Sequence, residues 1–122
     1  MNRYDSSWDE GNEEAWDKIY DKWEDRDWES WLTNNLSFPF LAIRREDERD
    51  FRPDYNNKDP FTIDHTFKVE GIELEDDWYG FIAQVKEGRR KGYVPLCDIE
   101  VTSKDNTNYW PVREYVVWFA NR

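Results

Sequence analysis

Aromatic residues at helical spacing dominate the first part of the chain. Spacings of three, four and eight residues between Glu13 and Asn34 predict one amphipathic helix with an aromatic stripe. The stripe consists of Trp16, Tyr20, Trp23, Trp31 and Leu32. Asn34 and Asn35 are expected to end the helix, because Asn tolerates left-handed backbone. Polar residues 1–12 are predicted to be a flexible N-terminus, and residues 13–122 a single domain.

Short alternating segments follow, and they predict antiparallel strands. The predicted strands are Leu36 to Ile43, Phe61 to Ile72, Phe81 to Lys86, Gly92 to Pro95, and Ile99 to Val101 after a helical turn at Leu96 to Asp98. The charged residues 44–60 predict a surface loop, and Tyr109 to Asn121 has a second apolar helical face. The predicted fold is α+β, with a small SH3-like antiparallel core flanked by an acidic N-terminal helix and a C-terminal helix.

Charge narrows the choice of partners. The chain has 28 acidic and 17 basic residues, a net charge of −11, and residues 1–35 contribute 11 acidic and 4 basic residues to it. Such a charge disfavours nucleic acid and anionic membranes as partners. A cation, or a basic protein, is the expected partner. The basic turn at Arg89, Arg90 and Lys91 is interpreted as keeping a hairpin tip soluble.

Single Cys and His residues restrict the possible chemistry. With only Cys97 and His65, the chain can form neither an intramolecular disulfide nor the usual zinc site. A nucleophile–base pair of these two is conceivable, but a lone buried cysteine beside a turn is more often inert, so the protein is not expected to be an enzyme. No apolar run is long enough for a membrane span, and no secretory signal is evident, so a cytoplasmic location is expected.

A cluster of acidic residues is the strongest candidate site. Glu73, Glu75, Asp76 and Asp77 lie within five positions, where like charges repel. On an extended strand, Asp76 would face away from the other three, whereas a turn would bring Asp76 and Asp77 together. Asp98 could approach from a neighbouring strand. The cluster is either a solvated loop tip or a site for calcium, which takes oxygen ligands in irregular geometry.

Two other acidic segments are weaker candidates. The segment that begins at Asp54 fails as an EF-hand, since Lys58 stands where an oxygen is needed and Asp59 where glycine is required. Glu46 to Glu48, with Asp50, could hold a cation, but four nearby arginines are expected to pair with these acids. Any calcium site is therefore expected not to be an EF-hand.

Several motifs in order resemble the small acidic calcium-binding protein family of cyanobacterial type, the CcbP-like proteins. They are the aromatic acidic helix, Leu36 to Ala42, Val69 to Ile72, Glu75 to Asp77, Val94 to Leu96, and the aromatic helix from Tyr109 to Phe119. The resemblance covers most of residues 28–120. It implies cytoplasmic calcium binding, as a buffer or sensor, through surface carboxylates of a compact α+β domain.

The same resemblance suggests ligands. It assigns Glu75, Asp76 and Asp77 as the carboxylates that transfer best. Family members tend to have acids just before the Leu-x-Phe-Pro-Phe element, where this chain has Thr33 and Asn34. Asn34 could supply a carbonyl oxygen, but without charge.

A protein-interaction module is the alternative function. The acidic N-terminal helix could dock a basic partner, as an immunity protein or a regulator does, without a metal. Trp8 and Trp28 lie off the aromatic stripe, and exposed Trp residues often anchor interfaces.

Overall fold

The protein is described by a computed structural model covering residues 4–122, without the side chains of Glu10, Glu48, Leu74 and Glu75. The chain divides into two compact units, the first ending at Asn35 and the second beginning at Leu36. The predictions of a flexible residue 1–12 segment and of a single domain over 13–122 stay predictions. Within the described residues, no helix is both long and apolar enough to cross a membrane.

The first unit contains two helices where the sequence predicted one. A 3-10 turn at Ser7–Glu10 precedes α1 (Glu13–Glu24) and α2 (Trp28–Asn35). The break is local in origin, because the Asp27 carboxylate accepts hydrogen bonds from the amide and hydroxyl of Ser30 and so starts a new helix. The Arg26 guanidinium stacks over the Trp31 ring, 4.1 Å from its centroid.

Trp8 and Trp28 are buried, which corrects the expectation that they are exposed interface anchors. Trp8 is 3% exposed and packs edge-on against Trp23, with ring centroids 5.1 Å apart. Trp28 is 5% exposed, and its indole N–H donates to the Trp23 carbonyl. The predicted aromatic stripe thus left out part of the core, because Trp8 and Trp28 also contribute to it.

The second unit is a five-stranded antiparallel sheet with one helix. Its elements are β1 (Phe40–Arg44), β2 (Thr66–Asp76), β3 (Gly80–Glu87), β4 (Arg90–Pro95), β5 (Ile99–Val101) and α3 (Tyr109–Asn121). The strand order is β4-β3-β2-β1-β5, and a 3-10 turn at Leu96–Asp98 leads into β5. The α+β class is confirmed. The SH3-like description of the sheet stays a prediction.

Alternation along the strands defines an inner and an outer sheet face. Phe67, Val69, Ala83, Val85 and Val94 are buried on the inner face, while the residues between them point outward. β2 begins later and ends later than predicted, so that its last residues include Glu73, Glu75 and Asp76, and Asp77 follows in the turn. The cluster therefore lies in the β2–β3 hairpin and not in a separate loop.

Candidate metal centre

The β2–β3 hairpin tip (Asp76 to Gly80) holds two of the predicted ligands. Asp76 pairs with Gly80 across the hairpin, so three residues form the connection. The Asp76 Oδ1 atom accepts hydrogen bonds from the amides of Trp78 at 2.8 Å and Tyr79 at 3.1 Å. An aspartate here therefore shapes the turn itself. These contacts use only one of its two carboxylate oxygens.

Asp77 is the least engaged acid of the tip. Its side chain is exposed, and it forms no hydrogen bond or ion pair with any side chain that the structure describes. Trp78 beside it is 83% exposed. The tip thus presents the Asp77 carboxylate, which has no described side-chain partner, next to the Asp76 carboxylate, of which only Oδ1 accepts hydrogen bonds. Both side chains are exposed to solvent.

Glu73 lies further down β2. A bulge between Glu73 and Glu75 breaks the simple alternation on which a shared face for Glu73, Glu75 and Asp77 depended. The Glu73 carboxylate accepts a hydrogen bond from the side-chain amide of Gln84 at 2.6 Å. This partner could not be predicted from the sequence, because the contact depends on the register of β2 against β3. The Glu75 side chain, a predicted ligand, lies outside the described residues.

The tip is fixed to α3 through Gly80 and Phe81. The Tyr115 hydroxyl accepts a hydrogen bond from the Phe81 amide at 3.0 Å, and the two rings pack with centroids 5.6 Å apart. Gly80 has φ of 67°, and a Cβ there would overlap the Tyr115 hydroxyl oxygen and the Phe119 ring. Only glycine fits this position, so the backbone behind Asp76 and Asp77 is held in place.

Asp98 lies in a buried ion pair. The Arg44 guanidinium donates to its Oδ2 at 2.8 Å and lies 3.4 Å from Asp47 Oδ2. Burial raises the pKa of Asp98, although the hydrogen bond and charge of Arg44 oppose this rise. Arg44 also donates to the backbone carbonyls of Glu46 and Phe61. Its other carboxylate oxygen, Oδ1, lies 3.6 Å from the Cys97 sulfur, and the role of Asp98 as a ligand stays a prediction.

In the second candidate cluster, arginines pair with Asp47, whereas Glu46 and Asp50 are exposed and form no ion pair with a described side chain. Asp47 is 4% exposed and bonds to the Arg49 guanidinium at 3.0 Å, besides its contact with Arg44. Burial alone would raise the pKa of Asp47, but the hydrogen bonds of Arg49 and the two arginine charges lower it below its ordinary value. The predicted pairing of this segment with its arginines is observed for Asp47. Glu48 lies outside the side chains that the structure describes.

Cys97 and His65 each contact other groups. Burial and the neighbouring Asp98 charge raise the pKa of the Cys97 thiol to about 12, which disfavours a thiolate near neutral pH. The His65 ring is bonded through Nδ1 to Glu87 at 2.9 Å and through Nε2 to the Asn57 carbonyl. The Cys97 sulfur lies near the Tyr79 carbonyl instead. These partners do not form a nucleophile–base pair.

Asn34 is exposed near the end of α2 and belongs to the first unit. Its assignment as a ligand stays a prediction.

The donor groups at the tip fit calcium in kind but do not form a closed cage. Within the described residues, no three His, Cys, Asp or Glu side chains converge on one point. Calcium accepts carboxylates, backbone carbonyls and water together, and an open site of two or three carboxylates is compatible with that chemistry. A softer metal would need nitrogen or sulfur ligands.

Comparison with known proteins agrees with this chemistry. The family model Calci_bind_CcbP, described as calcium binding, matches residues 15–119. The chain is similar to the crystal structure of Anabaena CcbP, with 24% identity, a TM-score of 0.54, and coverage of 76% of this chain and 71% of that one. That likeness shows a shared fold. The search of the curated proteins found no match. Because the family model spans most of the chain, the protein belongs to the CcbP family of calcium-binding proteins, with calcium as its ion.

Proposed function

We propose that this protein buffers calcium, and that the β2–β3 hairpin tip binds the ion. Asp76 and Asp77 supply the principal carboxylates, and Glu73 and Glu75 lie close enough in sequence to add charge. Backbone carbonyls and water complete the coordination of an open site. We propose no catalytic role.

The free Asp77 carboxylate carries this proposal. It stands beside Asp76, whose carboxylate is held in a fixed turn by two backbone amides. Arginine neutralises Asp47 and Asp98, whereas no described side chain neutralises Asp77. A divalent cation at the tip would relieve the repulsion among four acids within five positions.

The rigid support of the tip favours a buffer over a sensor. Tyr115 holds Phe81, and the close approach at Gly80 leaves little freedom for the hairpin to move against α3. A sensor needs a bistable element whose equilibrium the ion shifts. Because the site is open and partly hydrated, we expect moderate affinity, with a dissociation constant of about 10⁻⁵ to 10⁻³ M.

Calorimetric titration of a double variant tests the site. Asp76→Asn with Asp77→Asn keeps an oxygen that can accept the turn hydrogen bonds but removes both charges. We expect calcium affinity to fall at least tenfold, which is about 1.4 kcal/mol of binding free energy. Thermal stabilisation by calcium should be lost in parallel.

The matched control removes two exposed acids elsewhere. Asp54→Asn with Asp105→Asn changes the net charge equally and should leave calcium affinity within about twofold, a fraction of 1 kcal/mol. Equal losses in both variants would mean that calcium senses only the general negative field. An unchanged affinity in the tip variant would move the site away from Asp76 and Asp77.

A further inference from the structure

Three lysines lie side by side on the outer face of the sheet. Lys68 on β2 pairs with Lys86 on β3, and Lys86 pairs with Lys91 on β4. Paired residues on neighbouring strands project from the same face. Lys68 alternates with the buried residues Phe67 and Val69, which places this lysine row on the outer face.

The row is unfavourable for the isolated chain. Like charges directly opposite each other destabilise a sheet. No described side chain forms an ion pair with any of the three lysines, although the chain has 28 acidic residues. A lysine on an edge strand can protect against edge-to-edge pairing. That explains Lys91 on β4, but not Lys68 and Lys86 on interior strands.

Apolar side chains border the row. Leu41 on β1 pairs with Lys68 and is 51% exposed. Tyr93 lies two residues after Lys91 on β4 and is 63% exposed. Together with the aliphatic stems of the lysines, they form a surface that suits an acidic partner with some apolar character.

The chain itself carries a matching acidic surface. Asp17, Asp21 and Glu24 on α1 follow one another at spacings of four and three residues, so they share one helix face. All three are exposed, and none forms an ion pair with a described side chain. Seven residues of helix span about 10 Å. Three adjacent strands also span about 10 Å, so each acid can meet one lysine.

We propose that a second copy of this chain binds here, with the acidic face of its α1 on the lysine row. If each copy provides both surfaces, two equivalent contacts close a symmetric dimer. The two chains repel through their net charges of −11, but this long-range term is largely screened at about 0.1 M salt, where the screening length is about 10 Å. Contacting pairs are screened less, and about 1 M salt should separate the copies.

Sedimentation velocity in EDTA tests the proposal independently of calcium. At about 0.1 M salt we expect twice the chain mass of 15.0 kDa, and at about 1 M salt the monomer. The lysine variant (Lys68→Glu, Lys86→Glu, Lys91→Glu) and the acid variant (Asp17→Lys, Asp21→Lys, Glu24→Lys) should each be monomeric. An equimolar mixture of the two should regain the doubled mass, because the exchanged charges match again.

A control variant separates the local contact from net charge. Arg52→Glu with Lys58→Glu and Lys104→Glu changes the total charge as the lysine variant does, and it should still dimerise. The proposal is overturned if the wild-type chain is monomeric at all concentrations, or if its dimer persists in the lysine variant. It is also overturned if the wild-type monomer instead binds polyglutamate or single-stranded RNA through the row.

Discussion

Two groups of carboxylates in this protein meet opposite environments. Asp47 and Asp98 are largely buried, and both contact the guanidinium of Arg44, which is itself 6% exposed. Asp77, at the hairpin tip, is exposed and has no partner among the described side chains. Arginine neutralises the buried group, whereas no described side chain neutralises Asp77, and we propose that calcium supplies its counter-charge.

This difference shows why the number of acidic residues in a segment does not reveal whether that segment can bind a cation. Residues 46–50 and 73–77 each contain four acidic residues, but four arginines lie within or beside the first segment and none beside the second. What separates them is the position of arginine in the folded chain. Desolvated carboxylates need a fixed counter-charge, whereas hydrated ones can exchange a mobile one.

Replacing Arg44 by methionine should have the largest effect. The variant leaves Asp98 buried without its counter-charge and Asp47 with Arg49 alone, and we expect the free energy of unfolding in urea titrations to fall by about 3–5 kcal/mol. Calcium affinity of the folded protein should not change, because Arg44 forms no hydrogen bond or ion pair with Asp76 or Asp77.

Arg45→Met is the matched control for that variant. The Arg45 side chain is 50% exposed, and its nearest ion pair, with Glu100, is 3.6 Å long. We expect a stability change of about 0–1 kcal/mol, as for other surface pairs. Equal destabilisation by both variants would contradict the distinction between the buried and the exposed group.

Gly80→Ala perturbs the hairpin tip by disturbing its contact with α3. The new methyl group would overlap the Tyr115 oxygen, and the residue would keep a positive φ, so we expect a loss of about 2–3 kcal/mol of stability. Because the displaced hairpin carries Asp76, calcium affinity should also fall. Gly88→Ala is the control, since Gly88 has φ of 60° with open space around its Cα. If Gly80→Ala leaves calcium affinity unchanged, the support of the tip by α3 has no bearing on binding.

Much of the second unit was predictable from sequence. Alternation and turn residues predicted the α+β class and the succession of strands along the chain, and the predicted C-terminal helix coincides with Tyr109–Asn121. The prediction of a single helix in the first unit was wrong, because Asp27 caps a second helix inside the aromatic stripe. A local side-chain hydrogen bond there outweighs helical periodicity.

Register and long-range pairing limited the prediction of sites. Arg44 and Asp98 are 54 positions apart, and nothing in their sequence surroundings links them. The bulge after Glu73 changes how β2 aligns with β3, which simple alternation cannot anticipate. The lysine row likewise exists only once three strands are aligned. The ligand roles of Asp76 and Asp77 stay predictions that the titration must decide.

The pair of His65 and Glu87 is intermediate in exposure between the buried carboxylates beside Arg44 and the exposed Asp77. Their side chains are 20% and 28% exposed, with His65 Nδ1 2.9 Å from Glu87 Oε2. The hydrogen bond to Glu87 raises the pKa of His65, and the bond to the Asn57 carbonyl and the charges of Glu87 and Asp64 act in the same direction, against a smaller effect of burial. Both ring nitrogens face acceptors, so the doubly protonated ring satisfies both.

His65→Gln should therefore have the smallest effect, and one that depends on pH. A raised folded-state pKa stabilises the protein fully below the unfolded value of about 6.5, and this stabilisation disappears as pH rises through the folded-state pKa. We expect wild type to be more stable than the variant by about 1 kcal/mol near pH 5.5, and equally stable near pH 9. His65 is the only histidine, and the raised pKa of Cys97 removes the thiol from this range. Urea titrations across this range measure the difference, and Glu87→Gln should reproduce its pH dependence. A difference that stays constant with pH would mean that the pair acts by packing, without a contribution from its charge.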